Sequence, residues 1–328
     1  MQTLMRGKDL ITLQEWSKGE IDTALETSKH LKLLFANGRP HRWLRDKTAF
    51  MMFFEQSTRT RNSMEAGITQ LGGHAHDLTP DKMQLSHGES AKDTAMVLSR
   101  FGHAIAIRNC FYGIGNAYLR EVARWASIPI INLQDDLYHP LQALADLMTM
   151  QETFGALDGL NVTISWAYAT SHAKPLSVPL SQILLFTRYG MNVTVAAPKE
   201  FPLLPDLVRT AEANAGENGG TLRFVDDMDT GFEKAHVVIP KNWGGFAFTG
   251  DASEMAANLA KYPDWICNER RMALADPHAV YMHALPADRG KEVTDPVIDG
   301  PQSIIYDEAE NRLHTVKGVM ALTMGGRP

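Results

Sequence analysis

The chain has 328 residues, of which 44% are hydrophobic and 21% are charged, so its length suits two globular domains and its composition excludes a disordered chain. The net charge of -6 disfavours nucleic acid or an anionic membrane as the main partner. A local cationic pocket for a small anion remains compatible with this overall charge.

The two cysteines, Cys110 and Cys267, are too few for a disulfide framework, and free thiols fit a reducing cytoplasm. We interpret both as small buried hydrophobic residues rather than catalytic groups. No His and Cys cluster has the spacing of a metal site, so we expect neither a metal nor another cofactor. The start of the chain lacks the apolar core of a signal peptide, and no run approaches the length of a membrane span. A cytoplasmic protein is therefore expected.

Apolar runs rich in β-branched residues alternate with segments of helical periodicity, which predicts an α/β fold with parallel sheets. In chain order, the predicted strands are 48–54, 104–108, 128–132, 161–166, 192–196, 236–240, 279–283 and 303–306. The predicted helices are 60–71, 90–101, 118–127, 141–154, 177–188, 206–214 and 311–324.

The change between two halves of the chain falls near residues 139–154, where a proline in the first turn begins a helix. We predict a first domain over residues 1–140 and a second over 141–300, each a doubly wound parallel sheet, joined by this helix. Residues 301–328 are expected to return to the first domain. Ligands of open α/β sheets bind outside the carboxyl ends of the strands, so the loops after the strands are the candidate sites.

The strongest local signal is the segment 53–61, Phe-Phe-Glu-Gln-Ser-Thr-Arg-Thr-Arg, in which an apolar strand runs directly into hydroxyl residues, arginines and a helix. Hydroxyl residues are typical helix caps, and the N–H groups at a helix start bind anions. Arg59 adds a planar fork that matches phosphate oxygens. By composition alone, a phosphate site and a capped helix with surface arginines are equally favoured.

Six segments, in order along nearly the whole chain, resemble motifs of the aspartate and ornithine transcarbamylase family. They are 57–61 with its continuation through 63–67 and 70–73, 88–95 (Gly-Glu-Ser-Ala-Lys-Asp-Thr-Ala), Arg108, 139–142 (His-Pro-Leu-Gln), 283–286 (His-Ala-Leu-Pro) and 308–312 (Glu-Ala-Glu-Asn-Arg). The chain is therefore identified as a member of this family. The resemblance implies an enzyme that moves the carbamoyl group of carbamoyl phosphate onto a nitrogen of a small amino compound.

The resemblance also implies the residues that bind carbamoyl phosphate. They are Ser57, Thr58, Arg59 and Thr60 for the phosphate, Arg108 as a bridge between the phosphate and the carbonyl oxygen, His139 for the carbonyl oxygen, Gln142 and the backbone carbonyl of Leu285 for the carbamoyl amide, and Arg312, which completes a cationic ring. Gln84 matches a position that reaches the neighbouring subunit's site. The resemblance thus implies a homotrimer with shared active sites.

The chemistry explains why neither metal nor covalent nucleophile is needed, because the phosphate of carbamoyl phosphate is already a good leaving group. The enzyme must polarise the carbonyl, hold a neutral amine at attack distance and stabilise the oxyanion. Arg108, His139 and Thr60 are the predicted catalytic residues. The departing phosphate can accept the amine proton, so a side-chain base is optional.

On the acceptor side, the chain departs from the best-known members of the family. Ornithine enzymes carry an Asp-x-x-x-Ser-Met-Gly stretch and a His-Cys-Leu-Pro motif, but this chain has Pro-Lys-Asn-Trp-Gly over 240–244 and Ala284 in place of the cysteine. The arginine and glutamine pair of the aspartate enzymes is also missing. We therefore expect the acceptor to be neither aspartate nor plain ornithine.

Residues 165–179 and the Pro-Lys-Asn-Trp segment resemble the knotted branch of the family. That branch includes the N-acetylornithine and N-succinylornithine enzymes and the YgeW type, whose acceptor is unassigned. The resemblance implies a trefoil knot in the second domain, which no sequence pattern alone would suggest because knots are nearly absent from proteins.

The predicted acceptor site combines a strand end with the loop that resembles the knotted branch. Its residues are His172, Lys174, Lys241, Asn242, Trp243 and Ala284. The cations and a flat apolar wall at Trp243 favour an acceptor with a carboxylate or an acyl oxygen. Lys174 as a solvated loop residue and Trp243 as a core aromatic are about equally compatible with the sequence.

Two other interpretations stay open, and a third is rejected. An ornithine enzyme could use a rebuilt ornithine site. A non-catalytic phosphate-binding relative is favoured by Ala284, and the retained Arg59, Arg108 and His139 oppose it. A nicotinamide-dependent dehydrogenase would need a third glycine in segment 113–118 and an acidic residue at the right distance, and both are lacking.

Overall fold

The computed structural model describes residues 5–84, 88–171 and 174–326. His172, a predicted acceptor residue, lies outside these ranges. The chain divides into two compact units, Met1–Met148 with Ala309–Pro328, and Thr149–Glu308. Within the described residues, each unit contains one sheet whose strands are all parallel. The predicted class, α/β with two parallel-sheet domains, is confirmed.

The described strands are β1 Thr48–Phe53, β2 His74–Leu78, β3 Ala104–Asn109, β4 Ile130–Asp135, β5 Asn161–Ser165, β6 Asn192–Ala196, β7 Thr221–Val225, β8 Val237–Pro240 and β9 Val280–Tyr281. The described α-helices are α1 Lys18–Ala36, α2 Arg59–Gln70, α3 Ala91–Phe101, α4 Gly115–Trp125, α5 Pro140–Phe154, α6 Ser177–Thr187, α7 Pro205–Asn218, α8 Met228–Phe232, α9 Ala252–Leu259, α10 Glu269–Met272, α11 Asp295–Ile298 and α12 Ile305–Thr323. Over these described ranges, no helix combines the length and the apolar character that a membrane crossing requires.

The sheet of the first unit has the strand order β2-β1-β3-β4. β1 and β3 lie in its interior and are almost wholly buried, which is why their sequences are nearly continuous apolar runs. The strand order reverses between β1 and β3, because the chain moves outward to β2 on one side and to β4 on the other. Such a reversal opens a crevice at the carboxyl ends of the strands, where ligands of open α/β sheets bind.

A β-bulge interrupts the pairing of β3 with β4 just before this edge. Ile107 pairs with Asn132 but Arg108 pairs with Gln134, so β4 contains one extra residue, Leu133, at this point. The bulge places the side chains of Arg108 and Gln134 beside each other at the carboxyl end of the sheet.

The start of α2 differs from the expectation of a hydroxyl cap. Thr58 occupies the N-cap position with helical backbone angles, φ -76° and ψ -57°, and its side chain makes no capping hydrogen bond. By contrast, the Ser90 hydroxyl accepts from the backbone N–H of Asp93 at the start of α3. The predicted cap is therefore wrong for Thr58, since a residue that already has helical angles is badly placed to cap.

The sheet of the second unit has the order β7-β6-β5-β8-β9, and it reverses between β5 and β8. Ser165 pairs with Pro240 at the carboxyl ends of these two strands, and the backbone N–H of Lys241 donates to the Ser165 carbonyl at 2.8 Å. The second crevice therefore opens where the Pro-Lys-Asn-Trp segment begins. The trefoil knot stays a prediction.

The strand predicted at 303–306 is wrong. Ser303 forms only an isolated bridge with Tyr281, and α12 begins at Ile305. Asp307 and Glu308 lie in the first turn of this helix, where negative charge is stabilised by the helix dipole. A short apolar run was therefore mistaken for a strand at a helix start.

Gly115, at the start of α4, allows the loop after β3 to approach the loop after β4. A Cβ atom added there would lie 1.9 Å from the Asn109 carbonyl oxygen and 3.0 Å from Oδ1 of Asp136. We predict that Gly115→Ala lowers the free energy of unfolding by about 1–3 kcal/mol or more, because backbone must move to relieve the clash. Urea unfolding of the purified protein measures this change.

Gly216 provides the matched control, because it lies in α7 and an added Cβ meets no atom within 4 Å. Gly216→Ala should raise the free energy of unfolding by about 0.5–1 kcal/mol. Equal effects of the two substitutions would contradict the close approach at Gly115.

Candidate active site

The first crevice collects three loops of the first unit. α2 follows β1, Arg108 lies at the end of β3, and His139 follows β4. Phe53 pairs with Arg108, and the backbone N–H of Phe54 donates to the Arg108 carbonyl at 3.0 Å. Because the strands are parallel, their carboxyl ends share one edge, and the structure brings these predicted residues to that edge.

The residues at the start of α2 differ in exposure. Thr58 is exposed, Ser57 and Arg59 are half-buried, and Thr60 is buried. A ligand can therefore reach the backbone at the helix start and the Arg59 side chain. Arg61 is held apart from this set, since its guanidinium bonds Asp77 and lies 4.1 Å from the centroid of the Phe53 ring.

Arg312 of α12 connects two other predicted residues in the interior of the first unit. Its Nη2 donates to the Thr60 hydroxyl at 3.0 Å, and its Nη1 donates to Oε1 of Gln142. Gln142 in turn donates from Nε2 to Oδ1 of Asp146 at 2.7 Å. These side chains are buried, and the two acceptors that Arg312 uses here are neutral. Helices α2, α5 and α12 are thus tied together by predicted site residues.

Arg108 lies between two partners that the sequence analysis missed. Its Nη1 donates to Oε1 of Gln134, whereas its Nε lies 4.0 Å from Oε2 of Glu55, too far for a hydrogen bond. Burial raises the pKa of the Glu55 carboxyl, although the N–H of Cys110, 2.8 Å from Oε1, and the charge of Arg108 oppose this effect. Glu55 thus lies beside Arg108 at ion-pair distance without a hydrogen bond between them.

The loop that carries His139 is organised by a buried carboxylate, Asp135. Its Oδ1 accepts from the backbone N–H groups of Leu137 and Tyr138, and its Oδ2 accepts from the side-chain amides of Asn116 and Asn132 at 2.7 and 2.9 Å. Burial raises the pKa of Asp135 to about 7 despite these donors. The pair of carboxylates just before His-Pro was the available signal, because Asp side chains commonly bond the backbone of the turn that follows.

The thiols show no sign of a nucleophile. Burial raises the pKa of Cys110 to about 12 and raises the pKa of Cys267 further. Cys267 is buried as expected, but Cys110 is only partly buried, which corrects the sequence-based interpretation. Neither thiol is ionised near neutral pH, so neither is suited to attack a carbonyl.

A second charged cluster lies in the second unit around the buried carboxylate Glu292. Its Oε2 lies 3.1 Å from Nζ of Lys174 and 3.5 Å from Nε2 of His283, and its Oε1 accepts from the backbone N–H of Asn242 at 2.7 Å. Asp288 donates its backbone N–H to Oε2 at 2.6 Å and pairs its own carboxylate with Lys174 at 3.1 Å. Burial opposes ionisation of Glu292, but His283 and the two ammonium groups of Lys241 and Lys174 outweigh it and hold its pKa well below the usual range.

The His-Ala-Leu-Pro motif folds around the His283 ring. Nδ1 accepts from the backbone N–H of Leu285 at 2.8 Å, so a neutral ring carries its proton on Nε2, the atom that faces Glu292. Burial lowers the pKa of His283, which favours that neutral ring. The backbone N–H of His283 donates to Glu308 at 2.7 Å. Leu285 itself has a positive φ of 50°.

The predicted acceptor residues of the second unit fall into two groups. Lys241 and Ala284 are half-buried, and Nζ of Lys241 donates to the Asn242 carbonyl at 3.1 Å. Lys174 is also partly exposed, but it is not a solvated loop lysine, because it pairs with Asp288 and Glu292. These three residues keep surface that a ligand can contact.

Asn242 and Trp243 of the predicted acceptor site lie in the interior of the second unit. Both are fully buried; the Asn242 amide donates to the Ala167 carbonyl at 2.6 Å and the Trp243 indole donates to the Phe201 carbonyl at 2.9 Å. The Trp243 ring is thus a core aromatic and does not form an open wall. No sequence pattern identified Glu292 and Asp288 as partners of this site. The only available signal was that Lys174 and Lys241 lie in apolar surroundings, where a buried cation needs an anionic partner.

Comparison with known proteins gives the family. Residues 8–152 match the carbamoyl-P binding domain of aspartate/ornithine carbamoyltransferase, and residues 161–323 match its Asp/Orn binding domain. The chain belongs to the aspartate/ornithine carbamoyltransferase family, and it is a carbamoyltransferase. This membership removes the dehydrogenase interpretation.

Relatives cover nearly the entire chain. An ornithine carbamoyltransferase of Thermococcus kodakarensis is 37% identical over 99% of both chains. The structure of ornithine carbamoyltransferase from Pyrococcus furiosus superimposes with a TM-score of 0.89 at 38% identity, over 99% of both chains. Acetylornithine transcarbamylase in complex with acetylcitrulline gives a TM-score of 0.88 at 32% identity, over 96% of this chain and 98% of that one.

The Glu292 cluster generates a stability prediction. Glu292→Gln should lower the free energy of unfolding at pH 7 by about 3 kcal/mol, because it removes one partner of a buried ion pair. The folded-state pKa of Glu292 lies below its ordinary value of 4.5, so this stabilisation is present above pH 4.5 and is lost as pH falls below it. Urea unfolding between pH 3 and 7 should show the wild type and the variant converging in acid.

Glu217→Gln is the control, since Glu217 is exposed on α7 and should change the stability by no more than about 0.5 kcal/mol. A difference between wild type and Glu292→Gln that is independent of pH would contradict the assignment of an ionised, buried Glu292.

Proposed function

We propose that this carbamoyltransferase binds carbamoyl phosphate at the first crevice and transfers the carbamoyl group to a small amino compound that carries a carboxylate or an acyl oxygen. The acceptor is neither aspartate nor plain ornithine. The observation that carries the proposal is the Glu292 cluster together with Lys241, which follows β8. The ornithine enzymes carry the Asp-x-x-x-Ser-Met-Gly stretch in place of this Pro-Lys-Asn-Trp segment.

The arrangement of the first unit supports the phosphate assignment. Arg59 and the start of α2 offer accessible N–H donors, and Arg108 lies on the adjacent strand. Leu285, the remaining predicted ligand of the carbamoyl amide, belongs to the second unit. Its proposed role rests on the resemblance of the segment 283–286 to a motif of the family.

In the proposed reaction, the neutral amine attacks the carbonyl carbon, a C–N bond forms, and the C–O bond to phosphate breaks. Arg108, His139 and Thr60 stabilise the negative charge on the carbonyl oxygen. Thr60 suits this role because its oxygen accepts from Arg312, which leaves its own O–H proton for another acceptor. The departing phosphate takes the amine proton.

Lys241 is the proposed contact for the anionic or acyl oxygen of the acceptor. Its ammonium donates to a backbone carbonyl, and that contact does not cancel its charge. Lys174 pairs with both Asp288 and Glu292. We therefore assign it a role in fixing Glu292, in addition to any contact with the substrate. His172 stays a predicted acceptor residue.

An ornithine carbamoyltransferase with a rebuilt ornithine site is the second candidate. It is favoured by the 37–38% identity to ornithine carbamoyltransferases over nearly the full chain, against 32% for the acetylornithine transcarbamylase structure. A cytoplasmic location is part of the proposal and rests on the sequence.

We also propose that the protein is a homotrimer in which Gln84 completes the neighbour's site. Gln84 is exposed, and residues 85–87 of its segment lie outside the described residues. Met96, Val97 and Phe101 of α3 are 42%, 46% and 70% exposed, and such apolar surface is typical of a face that another chain covers.

Arg59→Ala and Gln84→Ala should each lower turnover, the former by at least about a hundredfold, because two charge-assisted hydrogen bonds to phosphate are lost. When the two variants are dissociated and reassembled together in equal amounts, about a quarter of the sites receive two intact halves, and activity should recover to that extent. Steady-state assays of ureido product measure it.

The control is a mixture of Arg59→Ala with Arg108→Ala, which should give no recovery because both residues belong to the same half of the site. Wild-type turnover in Arg59→Ala would contradict the phosphate site. Recovery in both mixtures, or in neither, would contradict the shared site.

For the acceptor, we predict that a screen of amino compounds with carbamoyl phosphate will favour an acylated or otherwise modified amino acid over ornithine. A site built around particular polar groups rejects analogues that leave those groups unpaired. Lys241→Ala should lose acceptor binding and keep carbamoyl phosphate binding. Lys261→Ala, at an exposed residue that pairs with Glu200, should keep both.

A kcat/KM for ornithine of about 10⁴ M⁻¹s⁻¹ or more would instead select the second candidate.

A further inference from the structure

We propose that Gln134 is a positioning residue that orients Arg108 for carbamoyl phosphate without neutralising its charge. This inference rests on the proposed role of Arg108. Gln134 is 6% exposed, and its Oε1 accepts directly from Nη1 of Arg108. A side-chain amide thus fixes one edge of the guanidinium and leaves its remaining N–H groups for a ligand.

The β-bulge in β4 is what creates this contact. Side chains of directly paired residues in neighbouring parallel strands lie on the same face of the sheet. In a regular strand without the bulge, Arg108 would pair with Leu133, and Gln134 would not lie beside it. Bulges recur next to active sites because they re-aim a side chain, and here the re-aimed side chain is Gln134.

The neutral character of the partner matters for the proposed ligand. The Glu55 carboxylate pairs with Arg108 at 4.0 Å from Nε, which is beyond hydrogen-bonding distance. A carboxylate in the place of Gln134 would hold the guanidinium more tightly, but it would repel a phosphate dianion and cancel the positive charge. An amide orients Arg108 and preserves that charge.

The strand end that carries Gln134 is held in place through the following residue. The next residue, Asp135, is anchored by four N–H donors that include the side chains of Asn116 and Asn132. One strand end therefore orients Arg108 through Gln134 and organises the His139 loop through Asp135.

A double-mutant cycle separates positioning from a merely structural role. Gln134→Met keeps the length of the side chain and removes the acceptor, and it should lower kcat/KM for carbamoyl phosphate by at least about tenfold. In an Arg108→Ala background, the same substitution should change kcat/KM by less than about twofold, because Gln134 acts through Arg108. Equal losses in both backgrounds would overturn the proposal.

Gln134→Glu supplies a second readout with almost unchanged shape. It should weaken carbamoyl phosphate binding near neutral pH and regain it as pH falls and the new carboxyl is protonated, whereas the wild type shows no such recovery. A profile parallel to that of the wild type would overturn the proposal even if Gln134→Met failed to fold. Binding of inorganic phosphate, measured by calorimetry, gives the same comparison without turnover.

Gln302→Leu is the matched control, because the Gln302 side chain donates to the Ala279 carbonyl at 3.0 Å in the second unit, away from Arg108 in sequence and in domain. It should leave the KM for carbamoyl phosphate unchanged, and a rise equal to that of Gln134→Met would overturn the proposal. If Arg108→Ala alone keeps wild-type turnover, the proposed role of Arg108 fails as well. A loss in Arg108→Ala combined with additive effects of Gln134→Met overturns only the role of Gln134.

Discussion

The buried guanidinium of Arg312 joins parts of the first unit that lie far apart in the chain. It bonds Thr60 and Gln142, which are 252 and 170 residues away. Both contacts depend on the return of α12 to the first unit, so the polar interior beside α2 cannot form until the end of the chain has folded. The position of the Thr60 hydroxyl, and through it one proposed donor to the carbonyl oxygen, follows from this single buried cation.

The cations of the two units have different partners. In the first, Arg312 and Arg108 donate to the neutral acceptors Thr60, Gln142 and Gln134, and the Glu55 carboxylate lies 4.0 Å from Arg108. In the second, Lys174 is neutralised by Asp288 and Glu292. A cation that is already paired with carboxylates gains little from a further anion. The arginines of the first unit therefore suit a phosphate dianion, whereas Lys174 of the second unit suits a structural role.

Much of the fold was predictable because interior parallel strands are continuous apolar runs. β6 was predicted at its observed bounds, and β1, β3, β5 and β8 within one residue at each end. The edge strands β2 and β7 were missed, since they are partly exposed and carry polar residues such as His74 and Arg223. The partners of the site, Gln134 and Glu292, were not predictable, because one depends on a bulge and the other on contacts with residues 50 or more positions away.

The buried Trp243 changes how the proposed acceptor site would achieve selectivity. Its indole and its carbonyl are both engaged in the core, the latter by the Trp166 indole at 3.0 Å, and the neighbouring Asn242 is held by Glu292 and Ala167. The segment after β8 is therefore a rigid base on which Lys241 is the residue that retains surface. A cation on a rigid backbone loses little conformational freedom when it binds an oxygen. A substitution of Lys241 should therefore alter acceptor choice more than a substitution elsewhere in the segment after β8.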